Sequence, residues 1–321
     1  MQNMIKVRVD FSKGLLSCGI ALGLSVAAVS GAQADDQGRL LATGGVTQIE
    51  GSAGGGIVPW ALISGYETED EIGGTTFLTN VLVPNYHLVS GGAAVGFYNR
   101  VEVSVAQQQL GLSNVVLRGL GLNTSPALRQ DVFGVKVRVL GDAIFDQDTW
   151  VPQVAVGMQY KHNLDYNFVP ATVGAVSDSG TDFYVAATKV ILGGLAGHNL
   201  LLDGNIRMTK ANDMGLLGFG GPSNNNYKAE FEGSVGVFLD PANMWLLGAE
   251  YRQNPDNGLG QPLGVHLQQS SYEDAYVAYI PNKRFALTAA YADLGTLPNT
   301  TQPGANSSSE KGLYLSGQFS F

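Results

Sequence analysis

The stretch Gly312-Leu313-Tyr314-Leu315-Ser316-Gly317-Gln318-Phe319-Ser320-Phe321 alternates without a break. Leu313, Leu315, Gly317, Phe319 and Phe321 share one face, and Tyr314, Ser316, Gln318 and Ser320 the other. Side chains of a strand point to opposite faces with period two, so this is a strand with one apolar and one polar side. Ten residues is the length a tilted strand needs to cross a bilayer, ~9–11. Working backward, the same reading gives strands at 284–293, 271–280, 243–253, 227–239, 198–209, 181–192, 150–161, 131–140, 101–110 and 86–97. Faces are clean in several. Phe133, Val135, Val137 and Val139 oppose Lys136 and Arg138; Phe231, Val235 and Val237 oppose Lys228, Glu230, Glu232 and Ser234. Segments 181–192 and 271–280 are ambiguous, with apolar residues on both sides.

The connections test this independently. Counting back from Phe321, 294–311 is long and 281–283 short, 254–270 long and 240–242 short, 210–226 long and 193–197 short. Then 162–180 is long and 141–149 intermediate, and 111–130 long and 98–100 short. Bacterial outer-membrane barrels have short periplasmic turns and long outer loops; a soluble Greek-key sandwich has no reason to alternate so. The long connections carry turn formers, as in Gly220-Gly221-Pro222-Ser223-Asn224-Asn225-Asn226.

Composition fits. Of 321 residues only 14% are charged, 45% are hydrophobic and 43 are Gly. Soluble domains average about 25% charged residues and about 7% Gly. Disorder is excluded by the apolar fraction. Membrane helices are excluded beyond the leader, since no later run reaches about 18 to 20 apolar residues. Residues 1–34 read as a secretory leader: Lys6, Arg8 and Lys13, an apolar Leu15–Val29, then Ala32-Gln33-Ala34 as the cleavage site. Cleavage after Ala34 takes away Cys18, the sole cysteine, which removes disulfides, thiolate metal sites and haem attachment. It leaves 15 basic against 26 acidic residues, a charge of −11 that argues against nucleic acid as a partner.

The start of the remaining chain reads less cleanly. Leu40–Glu50 fits a strand or a segment inside the barrel, and Gly54-Gly55-Gly56 separates it from Trp60–Glu69, the better strand. Thr75–Val83 fits a strand or part of an outer loop. An antiparallel transmembrane β-barrel of twelve strands follows, with fourteen as the alternative. Residues 35–59 form a periplasmic or lumen segment and residues 60–321 the barrel.

Charges are expected to face inward, because a midplane Lys or Arg on the lipid side costs about 2–4 kcal/mol. The expected lumen lining is Glu102, Lys136, Arg138, Lys161, Asp203, Arg207, Lys228, Glu230, Glu232, Glu250 and Arg252. Its mixed signs suit either a narrow polar pore for a small solute or a salt-bridged network in a closed barrel. Asn205 reads inward too. Trp150 and Trp245, near the short-turn ends, and Tyr160, Tyr251 and Tyr291, near the opposite ends, read as two interfacial girdles against membrane lipid. No catalytic, cofactor or metal constellation is legible. His87, His162, His198 and His266 sit in no nucleophile or metal spacing, and His266 has no obvious orienting carboxylate near Ser270 and Ser271. Asp146, Asp148, Asp178 and Asp182 read as solvated loop acids rather than calcium ligands. The expectation is a channel or a closed structural barrel rather than an enzyme.

Several strings resemble one family of predicted outer-membrane proteins, the family designated domain of unknown function 3034. They are GRLLATGGVTQIEG (38–51), VPWALISGY (58–66), GVKVRVLGDAIFDQDTWVPQVAVGMQYK (134–161), DSGTDFYVAATK (178–189), LLGFGG (216–221) and PNKRFALTAAYADLG (281–295). The resemblance implies a barrel in a Gram-negative envelope and brings no established activity or binding residue. The terminal pattern Leu313, Leu315, Gly317, Phe319 and Phe321 also resembles the signal by which the barrel-assembly machinery receives its clients.

Overall fold

The computed structural model describes residues 41–113, 127–264, 266, 267, 269–296 and 309–321. The expected leader, residues 1–34, and its expected cleavage site lie outside these. A small hairpin, β1 (Val46–Thr47) and β2 (Ala53–Gly54), comes first. Twelve longer strands follow: β3 (Ile72–Leu82), β4 (Tyr86–Phe97), β5 (Val101–Leu112), β6 (Ala127–Leu140), β7 (Gln153–Asn163) and β8 (Ser179–Leu195), then β9 (His198–Thr209), β10 (Lys228–Phe238), β11 (Trp245–Arg252), β12 (Tyr272–Asn282), β13 (Phe285–Thr296) and β14 (Ser309–Ser320). Each pairs antiparallel with its chain neighbour, and β14 pairs with β3, closing the barrel. Phe321 and Gly74 then exchange both backbone bonds, at 2.9 Å each.

Period two decides which side chains meet which surroundings. On β14, Leu313, Leu315 and Phe319 face outward and are exposed, while Tyr314, Gln318 and Ser320 face inward and are buried. On β10, Phe231 and Val235 face outward and Glu230, Glu232 and Ser234 inward. The two ambiguous segments resolve the same way. β8 turns Tyr184, Ala186 and Thr188 inward, and β12 turns Tyr272, Asp274, Tyr276, Ala278 and Ile280 inward. Ambiguity arose because the lumen of this barrel accepts tyrosine and aliphatic side chains as well as charges.

The long connections 164–178, 210–227 and 253–271 leave one end of the barrel, where β5 and β13 also end and β6 and β14 begin. The connections 98–100, 196–197 and 283–284 leave the other end, as do 239–244 and the longer 141–152. One turn departs from the expected alternation: 83–85, between β3 and β4, is short and lies at the long-loop end.

One sequence expectation is corrected and one open alternative is resolved. Trp60–Glu69 is not a barrel strand; the first wall strand is Ile72–Leu82, so Thr75–Val83 is strand and not outer loop. The count of twelve stands because one replaces the other, and the barrel wall begins at 72 rather than 60. The reason is visible in the side chains. Trp60, Ala61, Leu62 and Ile63 are all at most 1% exposed, so this run has no lipid face and fills the interior. Gly65 then adopts φ +101°, a left-handed conformation that interrupts an extended run.

Candidate functional site: the lumen and its plug

Residues 41–67 run through the inside of the barrel. Backbone groups taken from water must find partners, and here the inward side chains of the wall supply them. Glu102 accepts from Ser52 Oγ (2.8 Å), Ala53 N (3.2 Å) and Ser64 N (2.9 Å). Lys136 Nζ donates to Ala53 O (2.9 Å) and Leu62 O (2.7 Å) while pairing with Glu102 (3.2 Å). Asn205 donates to Pro59 O, and Thr188 Oγ1 accepts from Ala61 N while donating to Asp203. Ser90 and Gln108 both donate to Ile49 O. The polar lining is thus largely a set of sockets for one segment's main chain, with Trp60, Ile49, Leu62 and Ile63 filling the space between.

At the apex of the β1–β2 hairpin, between Gln48 and Ser52, stands Glu50. Its two oxygens close a ring of buried charges. Glu50 Oε1 meets Lys161, and Lys161 meets Asp182 (2.6 Å). Asp182 meets Arg207 (3.4 Å), and Arg207 meets Glu232 (2.6 Å). Glu232 meets Arg252 (3.2 Å), and Arg252 returns to Glu50 Oε2 (2.7 Å). Each ion touches two of opposite sign, which offsets the desolvation that makes isolated buried charges costly. Lys161, Arg207 and Arg252 lie at or within two residues of the long-loop ends of β7, β9 and β11, so the ring sits just beneath the long loops.

Beside it, Glu250 on β11 and Asp274 on β12 are direct cross-strand partners. Glu250 Oε2 accepts Ile57 N at 2.8 Å, and the bare Cα of Gly55 lies against Glu250 Oε1. A Cβ at Gly55 would fall 1.8 Å from that oxygen, so a larger residue here would require the Glu250 carboxylate to shift.

Above the ring the long loops form a roof. Phe219 N donates to Ser177 O, Gly260 N to Val173 O and Ser223 N to Asn257 O, linking the three loops 164–178, 210–227 and 253–271. Val173, Phe219 and Leu259 are fully buried among them. Gln130 donates to Met214 O and Asn163 to Leu216 O, and Tyr272 OH donates to Asp213 Oδ1 at 2.9 Å, so loop 210–227 dips into the barrel mouth. Burial pushes the Asp213 carboxyl up to about 7, partly offset by the Tyr272 hydrogen bond. Released into water the same group has its ordinary value of 3.8. Docking therefore takes up a proton between these values. It is strongest below about pH 4, weakens as pH rises through 7, and levels off above. Loop opening, read as hydrogen exchange at 212–219 corrected for intrinsic rates, is expected to rise by up to about tenfold per pH unit across that window. Asp213→Asn should flatten the dependence; an unchanged slope in that variant would assign it elsewhere.

Most of the expected lumen residues are inward. Glu102, Lys136, Lys161, Arg207, Glu230, Glu232, Glu250 and Arg252 are buried, and the Asp203 carboxylate is enclosed with Thr188. Arg138 and Lys228 lie at the rims, bonded to Asp142 and to Asp256 O. Sequence reading missed Glu50, Asp182 and Asp274. Asp182 is not a solvated loop acid but an inward residue of β8, displaced by the ambiguity of that segment. His266 does have a carboxylate partner, Asp256 at 2.8 Å, while Ser271 bonds Tyr251 instead. Of the aromatics, Trp245, Tyr160, Tyr251 and Tyr291 lie outward on strands, and Trp245 stacks on Tyr279 at 4.3 Å. Trp150 is 85% exposed but stands in the 141–152 connection rather than at the start of a strand, because β7 begins only at Gln153 after Pro152.

Among solved structures the chain is similar to the KdgM porin, with 8% identity, TM-score 0.45, and 77% of this chain and 99% of that one covered. It is similar to the NanC porin, with 9% identity, TM-score 0.45, and 76% and 98% covered. It is also similar to the outer membrane protein Omp33 of Acinetobacter baumannii, with 11% identity, TM-score 0.42, and 79% and 100% covered. Similarity at this level says nothing about ligand or activity. None of the curated proteins matches it. Residues 43–318 match the family model described as "Protein of unknown function (DUF3034)", and the chain belongs to that family.

Proposed function

We propose that this protein is a non-enzymatic outer-membrane channel for a small solute, closed at rest by its own residues 41–67. The observation that carries this reading is that the wall is complete without the plug. All twelve wall strands pair around the circle, and among the described residues β1 and β2 pair as strands only with each other. Closure is thus by a separable element held through side-chain sockets and one ring of charges. The membrane setting is supported by the outward belt, where Phe133, Val156, Phe183, Ile206, Phe231, Leu247, Leu287 and Leu315 are each more than 40% exposed. Contiguous apolar surface of that extent marks a lipid or partner interface. The seam at Phe321 and Gly74 supports the reading of the terminal pattern as an assembly signal, since the last strand completes the circle.

A second reading, a permanently closed structural barrel, draws on the deep burial of Trp60, Leu62 and Ile63 and on the interlocked loops. One experiment separates the two. Planar-bilayer recordings should show few openings for the full chain and a steady conductance for a variant lacking 41–67 behind its native leader. A plug-less barrel that inserts but passes no current would overturn the channel reading.

A further inference from the structure

Glu50 is placed as a ligand would be. It is the plug's contribution to the charged ring, and every other member belongs to the wall. One carboxylate bridges two fully buried cations, Lys161 at one oxygen and Arg252 at the other. Gln48 Nε2 adds a donor to Oε2 at 2.8 Å. Without Glu50 the wall keeps three cations, Lys161, Arg207 and Arg252, against two carboxylates, Asp182 and Glu232. The wall therefore presents a site that lacks one negative charge, shaped for two acceptor oxygens on one carbon. Arg offers a planar fork suited to such a group and Lys a point charge. The site also lies just beneath the long loops.

We infer that Lys161 and Arg252 form a binding site for the carboxylate of a small monoanionic solute, and that Glu50 occupies it in the closed barrel as an internal competitor. A carboxylate that takes the site frees the hairpin apex, so ligand entry and plug release are one exchange of ion pairs. No bond is made or broken beyond these. Differential affinity is what lets a ligand shift such an equilibrium. Removing the competitor should tighten apparent ligand binding, because the ligand no longer works against the closed population.

This inference rests on the channel reading, and the test keeps the two apart. The probes are butyrate, its neutral analogue butyramide and butylammonium, which share size. Proteoliposomes carry the barrel lacking 41–67. Butyrate is expected to permeate about tenfold or more faster than butyramide and to saturate, as a charge-assisted pair predicts. Arg252→Gln should abolish the preference. Arg252→Gln combined with Glu232→Gln, which keeps the charge balance, covers the case where the single variant fails to fold. Equal permeation of butyrate and butyramide would overturn the carboxylate site and leave the channel standing. No permeation of any probe would overturn the channel; calorimetric titration of the same protein with butyrate then decides the site alone. Chloride competing as well as butyrate would reduce it to a charge trap and overturn the carboxylate assignment. In the full chain, Glu50→Gln should lower the butyrate concentration needed for half-maximal hydrogen exchange of 46–54 by about tenfold. No change would count against Glu50 as competitor.

Discussion

Arg207→Met is expected to destabilise the folded barrel by about 3–5 kcal/mol, the cost of leaving buried charge without its partner. Arg207 is 1% exposed. Its Nε and Nη2 donate to Glu232 at 2.6 and 3.1 Å, and its Nη1 to Gln159 at 2.8 Å and Asp182 at 3.4 Å. The guanidinium also lies over the Tyr184 ring, 5.2 Å from its centre. Methionine keeps the bulk and removes the charge. Glu232 then has only Arg252 as an ionic partner, Asp182 only Lys161, and the ring holds one excess negative charge where water is scarce. Pairing the change with Glu232→Gln restores neutrality and should recover part of the loss. Equilibrium urea unfolding in detergent would measure both. A single variant within about 1 kcal/mol of the parent would mean that the ring is solvated rather than buried.

A charge on the outside should act by depth. Val235 is 44% exposed, near the middle of the wall, opposite Ala249 and Leu202. Val139, 45% exposed, is the penultimate residue of β6 at the short-turn end. In a bilayer, Val235→Arg is expected to cost about 2–4 kcal/mol and Val139→Arg about 0–1. In water the two would be equivalent, since exposure is the same. Unfolding from lipid vesicles gives the comparison directly. Equal effects would sink the assignment of this face to lipid.

Much of the site was legible because inward placement follows from parity. Lys136, Arg207 and Glu232 each oppose an apolar face on their own strand, and a charge there has only the lumen to go to. Asp182 escaped because Phe183, Tyr184, Val185 and Ala186 put apolar side chains on both faces of β8, and parity alone gives no direction to such a run. Trp60–Glu69 was misplaced for a related reason. Apolar density marks burial, but burial against lipid and burial inside a lumen read alike in a short segment.

Covalent geometry alone makes side chains alternate along a strand. That rule, together with turn residues at loop spacing and the scarcity of charge, determined the barrel, eleven of its twelve strands and most of its inward charges from sequence. Glu50 obeys no such local rule. Its meaning comes from Lys161 and Arg252, which lie 111 and 202 residues further along the chain and are brought to its two oxygens only when the wall closes around the plug. Tertiary structure alone decided that, because an ion ring spanning a lumen is made of partners that no periodicity connects.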